Sequence, residues 1–234
     1  MNILAIDTSN QALGVAVMKN GEIAGDLTTN LKKNHSVRLM PAIDQLMREV
    51  SLTPEELDRI VVAKGPGSYT GVRIGLSTAK TMAWALNIPV VGVSSLEVLG
   101  FQGRFFHALV CPFFDARRGL VYGGVYEWKK GRLHSVYSEK NMPMEDLLSL
   151  LAEENSEVLF LSPDISLHQE SIAEKLRERA VVPEAPYHLP KASHLALAGS
   201  MVEPVPTHTL TPNYLRMAEA EAKWLERHKG KSHG

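Results

Sequence analysis

One stretch constrains the fold of this chain more than any other: Gly65-Pro66-Gly67-Ser68-Tyr69-Thr70-Gly71-Val72-Arg73-Ile74-Gly75. The β-branched run Ile60-Val61-Val62-Ala63 leads into it, and a helix-compatible segment, Thr70 to Leu86, leads out. A strand, a glycine-rich turn and a helix start gather unpaired backbone N–H groups at one point. That suits either an anion or a tight corner. The phosphate pattern Gly-x4-Gly-Lys-Ser/Thr fails, because Thr70 stands at the second Gly and no Lys follows Gly71. The dinucleotide pattern Gly-x-Gly-x-x-Gly fails at the same residue. A tight turn with close helix packing is the expectation. Gly65, Gly67 and Ser68 remain nucleotide candidates. Gly71, Gly75, Ala79 and Ala83 then recur every four residues, so one helix face is a stripe of small side chains. Such a stripe packs closely on the chain's own sheet or on another chain.

The start of the chain reads as three consecutive antiparallel strands, at 2–8, Leu13 to Met18 and Glu22 to Thr28, with the hairpin signal Asn20-Gly21. Asp7 ends the first, followed by Thr8-Ser9. It suits a cation or phosphate-bound water, or equally a turn-forming cap. A helix from Ser36, its N-cap, to Val50 follows, with Pro41 inside it. Leu39, Ile43, Leu46 and Val50 form one stripe, which Val37, Met40 and Met47 widen beyond what packing on a sheet needs. Ile88 to Val93 reads as a strand. Near Gln102-Gly103-Arg104 the pattern starts again, with strands at Phe105–Phe114, Gly119–Trp128 and Leu133–Ser138. Then come a helix at Met144–Ala152, a strand at Val158–Leu161, and helices at Ile165–Arg179, Lys191–Val202 and Ala218–His228. Two lobes are expected: 1–103, completed by 190–228, and 104–189, with 229–234 a disordered tail.

The chain has 234 residues, a formal charge of −1 and one cysteine, Cys111. Near-neutral charge argues against a stand-alone nucleic-acid binder. A lone cysteine permits no internal disulfide and fits a reducing cytoplasm. No basic leader or spanning apolar run is present, so no membrane association is expected. No histidines share a helix face at metal-ligand spacing, and Gly67 directly before Ser68 breaks the nucleophile-elbow pattern. The residues describe a two-part α/β protein with a phosphate-style loop and no complete catalytic or metal set. A binding subunit is the first expectation. The alternative is a phosphotransferase or ATPase using the inter-lobe cleft, with Asp7, Ser9 and the Gly65–Gly71 loop at the phosphates and Asp115 as the second carboxylate.

Ile3-Leu4-Ala5-Ile6-Asp7-Thr8-Ser9, Asn34-His35-Ser36, the Gly65–Gly75 stretch and Tyr214-Leu215-Arg216 together resemble the TsaB (YeaZ) family. The resemblance runs from the first strand to the C-terminal segment. It implies a two-lobed actin-like (ASKHA) α/β fold, each lobe a mixed sheet that begins with an antiparallel meander. It also implies a non-catalytic role in forming threonylcarbamoyladenosine beside the tRNA anticodon. The related subunit TsaD would carry the transfer, TsaE would be the third component, and tRNA would be met only through the complex. TsaD carries a metal-binding histidine pair on the helix that corresponds to Ser36–Val50. Here His35 precedes that helix and none lies inside it. The family pairs with TsaD through its two N-lobe helices, and the same patch would support a homodimer when TsaD is absent. Val37, Met40, Ile43, Met47, Gly71, Gly75 and Ala79 are therefore expected to include partner contacts. No cofactor is expected, with ATP or ADP the candidate if one binds.

Overall fold

The computed structural model describes residues 1–215; the expected helix Ala218–His228 and tail 229–234 lie outside them. Two five-stranded mixed sheets carry the fold. In the first, β1 (Ile3–Asp7), β2 (Ala12–Lys19) and β3 (Glu22–Asn30) form the antiparallel meander. The helices α1 (His35–Glu49) and α2 (Tyr69–Leu86) flank β4 (Arg59–Ala63), which pairs parallel to β1. β5 (Val90–Val93) pairs parallel to β4, giving the order β3-β2-β1-β4-β5. After α3 (Ser95–Gly100) the pattern repeats with β6 (Leu109–Asp115), β7 (Leu120–Lys129) and β8 (Arg132–Pro143). Then come α4 (Met144–Glu153), β9 (Val158–Leu161), α5 (Gln169–Leu176), β10 (Ala180–Val181) and α6 (Ala192–Ser200). The second sheet runs β10-β9-β6-β7-β8. This is the two-lobed α/β architecture with paired meanders that the letters predict.

Alternation along the strands builds the layers, because successive side chains leave a strand on opposite faces. Leu4, Ile6, Val15, Val17, Ile60 and Val62 face α1 and α2 in one core. Ile3, Ala5, Ala16, Val61 and Val91 turn to the other face, where Leu195 and Ala196 of α6 cover them. Residues 192–200 thus return to the first sheet. In the second lobe, Phe113, Val121 and Phe160 pack under α4 and α5. On its opposite face Phe114, Tyr126 and Leu161 meet Leu96 and Leu99 of α3. Trp128 and Leu133 of the second lobe also reach the core under α6. The helix α3 is therefore a wedge shared by both lobes.

Several expected boundaries shift for local reasons. The cap of α1 is Asn34, whose Oδ1 accepts from Ser36 N at 3.0 Å; Ser36 lies inside the helix. The cap of α2 is Ser68, whose Oγ accepts from Gly71 N. The strand expected from Phe105 begins at Leu109, and Phe105 is exposed in the turn before it. The strand expected to end at Ser138 continues to Pro143. The helix expected at Ile165–Arg179 is broken: 3-10 turns at Ile165–Leu167 and Arg177–Arg179 bracket α5, and Arg177 has φ 53°.

The glycines of the central stretch serve close packing. A Cβ on Gly71 would lie 2.1 Å from the Thr8 carbonyl oxygen, and one on Gly67 2.2 Å from that of Ser9. Neither backbone oxygen can step aside as a flexible side chain would. We predict that Gly71→Ala loses about 1–3 kcal/mol of stability in urea unfolding, the usual range for overpacking. Ser77→Ala, on the exposed side of the same helix, changes it by less than about 0.5 kcal/mol. Equal effects from the two would contradict this packing.

Candidate functional site

The five nucleotide candidates come together where β1 and β4 end. Several of their polar atoms bond one another or neighbouring backbone. Ser68 N donates to Ser9 O at 2.7 Å, and Gly71 N donates to Ser68 Oγ at 3.3 Å. Ser9 Oγ and Ser9 N both donate to Asp7 Oδ1, at 2.7 and 2.8 Å. Gly65 O accepts from Ser95 N at 3.0 Å. A helix start that would ordinarily aim its N–H groups at an anion is here aimed at the turn after β1. Thr8 Oγ1 closes the same contact by donating to Gly71 O at 2.7 Å.

One acceptor is left over. Asp7 is 3% exposed, and its Oδ2 is buried with no hydrogen-bond partner. Burial raises the Asp7 pKa above the ordinary value; hydrogen bonds from Ser9 and the nearby His35 oppose the rise. His35 points its Nε2 at Asn10 O, 2.7 Å away, and leaves Nδ1 buried and unpartnered. Asp115, the second carboxylate candidate, sits at the end of β6, the counterpart of Asp7 in the other sheet. It meets His168 Nε2 at 3.2 Å, and its backbone N–H donates to Asp164 Oδ2. Burial raises the Asp164 pKa, with the neighbouring Asp115 charge adding to the rise. Among the described residues, no group of three or more His, Cys, Asp or Glu is placed to hold a metal ion.

The floor between the lobes is cross-linked by a residue outside the predicted set, Glu139. A bulge in the β7–β8 pairing lies beside it, and bulges re-aim side chains. Its Oε1 accepts from Ser94 Oγ at the cap of α3 and from Tyr126 OH, the latter at 2.7 Å. Its Oε2 accepts from Asn213 Nδ2 at 2.9 Å. Asn213 belongs to a C-terminal strap that bridges to β5 at Val205, buries Leu210 and hydrogen-bonds Lys64 O through Asn213 N. One carboxylate therefore ties first lobe, second lobe and strap together. Burial also raises the pKa of nearby Glu97, with Glu139 adding to the rise.

The structure divides the seven partner-contact candidates. Val37 (68% exposed) and Met40 (49%) stand on the outer side of α1. Ile43, Met47 and Ala79 are buried against their own sheet, and Gly71 and Gly75 press on Thr8. Periodicity left their direction open; here they face inward, and the small-residue stripe is what lets α2 sit close to β1. The outward side of α2 carries Arg73 and Ser77 instead. A groove of about 490 Å³ separates the helices, lined by Leu39, Met40, Tyr69, Arg73, Ile74 and Ser77 among others. At its end Tyr69 and Tyr214 stack with ring centroids 5.2 Å apart. The Arg73 guanidinium lies 3.9 Å over the Tyr69 ring and its Nε donates to Tyr214 OH at 2.7 Å. The strap thus reaches the rim of the α1–α2 face at Tyr214.

Fold and site together define a two-lobed actin-like protein whose phosphate-style loop is packed on its own backbone and whose outer helix pair is open. The family model described as "TsaD: tRNA N6-adenosine threonylcarbamoyltransferase" matches residues 22–224. A relative from Bacillus subtilis, "tRNA threonylcarbamoyladenosine biosynthesis protein TsaB", is 50% identical over 229 residues, covering 98% of this chain and all of that one. The solved structure of YeaZ from Pseudomonas aeruginosa superposes with a TM-score of 0.78 at 29% identity, covering 92% and 99% of the two chains. The ethanolamine utilization protein EutJ from Carboxydothermus hydrogenoformans, at 12% identity and TM-score 0.51 over 85% and 90%, shares the fold alone. This chain belongs to the TsaB (YeaZ) family of tRNA threonylcarbamoyladenosine biosynthesis proteins, within the wider TsaD family.

Asp7 yields a pH test. Its folded-state pKa is raised above 3.8, so the unfolded chain ionises first as pH rises. Stability therefore falls as pH climbs from about 3.8 through the raised value. We predict that the native chain loses stability relative to Asp7→Asn over that range in urea unfolding. Parallel curves for the two proteins would contradict a desolvated Asp7.

Proposed function

We propose that the chain is a non-catalytic partner subunit of a tRNA threonylcarbamoyladenosine-forming complex, docking TsaD through α1 and α2. The observation that carries this reading is the open α1–α2 face, with Val37 and Met40 exposed beside the Tyr69–Arg73–Tyr214 cluster. Met, Tyr and Arg are the side chains enriched where proteins bury area against partners. The outward α2 residues Ser77 and Thr81 are small, which lets another helix come near. TsaE joins as the third component, and tRNA is engaged through the assembly in the cytoplasm. Without TsaD the same patch pairs with a second copy, because a two-fold interface uses one surface twice. The packed loop supports the non-catalytic role, since Ser68 N and Gly71 N have internal acceptors.

A second reading rests on Asp7 Oδ2, a buried acceptor without a partner at the end of β1. Phosphotransfer through the cleft would use it. ATP turnover by the isolated chain that disappears in Asp7→Ala would favour this alternative.

The docking proposal predicts that Met40→Asp weakens the complex with TsaD by at least about 30-fold, the loss expected at an interface hot spot. Its melting temperature stays near that of the unaltered chain, because Met40 is half exposed. Undiminished binding, measured by titration calorimetry, would remove α1 from the interface.

A further inference from the structure

The turn between β6 and β7 is built at an unusual conformational cost. Arg117, Arg118 and Gly119 all have positive φ, at 66°, 57° and 73°. Left-handed backbone crowds any residue with a Cβ, and Asn or Gly normally occupies such positions. The chain's other hairpin turns follow that practice more closely. Asn20-Gly21 (φ 54° and 88°) and Lys130-Gly131 (φ 50° and 75°) each hold one side chain in this region. The β6–β7 turn holds two, both arginines.

The turn is also held firmly. Ala116 N donates to Leu120 O at 2.8 Å, and Leu120 N to Arg117 O at 3.1 Å. Arg117 N donates to Asp115 Oδ2 at 3.0 Å, while Met144 N at the start of α4 donates to Gly119 O at 2.9 Å. Asp115 is itself held by His168. Both arginines are exposed, and among the described residues neither guanidinium has a carboxylate within ion-pair distance. Local folding explains neither their charge nor their tolerance of left-handed backbone. A pinned turn that presents two uncommitted guanidinium forks is pre-organised for an anion with paired oxygens.

We propose that Arg117 and Arg118 form a phosphate-binding tip that contacts the RNA backbone when the chain is part of its complex. The inference rests on the partner-subunit reading, which supplies the RNA. It departs from that reading in giving this chain a direct contact. The net charge of −1 limits the tip to a contribution within a larger site, so the isolated chain binds RNA poorly.

The test uses the heterodimer of this chain with TsaD and an unmodified tRNA transcript, followed by fluorescence anisotropy across salt concentration. Arg117→Ala with Arg118→Ala is expected to weaken binding about 10-fold near 0.15 M salt. It should also reduce the slope of log affinity against log salt by about 1–2, because each phosphate neutralised contributes about 0.7–0.9. Arg117→Asn with Arg118→Gly is expected to lose the same affinity while melting about 2–4 °C higher, the shift that relief of such strain gives a chain of this length. That rise separates loss of a contact from loss of fold. An unchanged affinity and slope in an intact heterodimer overturns the tip, and a shift that appears instead in TsaE titration assigns the arginines to an acidic protein and overturns it too. Failure of the heterodimer to form, seen by light scattering on the same samples, overturns the partner reading and the inference with it.

Discussion

The fold depends on one backbone-to-backbone contact. The glycine-rich turn after β4 presses against the turn after β1 so closely that no Cβ fits at Gly67 or Gly71. Ser68 N to Ser9 O and Thr8 Oγ1 to Gly71 O stitch the two turns together. With α2 seated on β1, Ala79 and Ala83 bury in the same core, and the outer face of α2 falls beside α1. A sequence pattern that resembles phosphate binding is thus packed on the chain's own backbone and sets where the outer face of α2 lies. The positive end of the helix faces protein carbonyls, which meet the same electrostatic need as a phosphate would.

A second constraint joins the lobes. The wedge α3 shares apolar contacts with both, and Glu139 draws Ser94, Tyr126 and Asn213 to one carboxylate. Through Asn213 the strap reaches Tyr214, which stacks on Tyr69 at the rim of the α1–α2 groove. Inter-lobe floor and outer helix face are therefore physically continuous. Burying a carboxylate oxygen is costly unless it is hydrogen-bonded. Half-buried Glu139 has both oxygens bonded, whereas buried Asp7 leaves Oδ2 unpartnered.

Much of this was legible in the letters. Asn20-Gly21 announced its hairpin because few other pairs accept that backbone, and the two meanders set the lobe plan. The four-residue recurrence of small side chains identified a close-packed face of α2. Periodicity left open what packed there, since a sheet and a partner helix both favour small residues. For α1 the apolar arc was too wide to choose a side: Leu39, Ile43, Leu46 and Met47 turned inward, Val37 and Met40 outward. Glu139 carried no local signal at all. Two of its partners, Ser94 and Asn213, are 45 and 74 residues away in sequence, and the bulge that aims it has no composition of its own. The two arginines at the β6–β7 turn were visible as a turn but not as strained, because φ is not written in the letters.

The central claim is that this protein works through the outer face of α1 and α2. Hydrogen–deuterium exchange on the chain alone and with TsaD tests it most directly. The account predicts new protection concentrated in His35–Glu49, Tyr69–Leu86 and the strap near Tyr214, with little change at the turns after β1 and β6. Protection confined to those turns, with both helices exchanging as before, would contradict it.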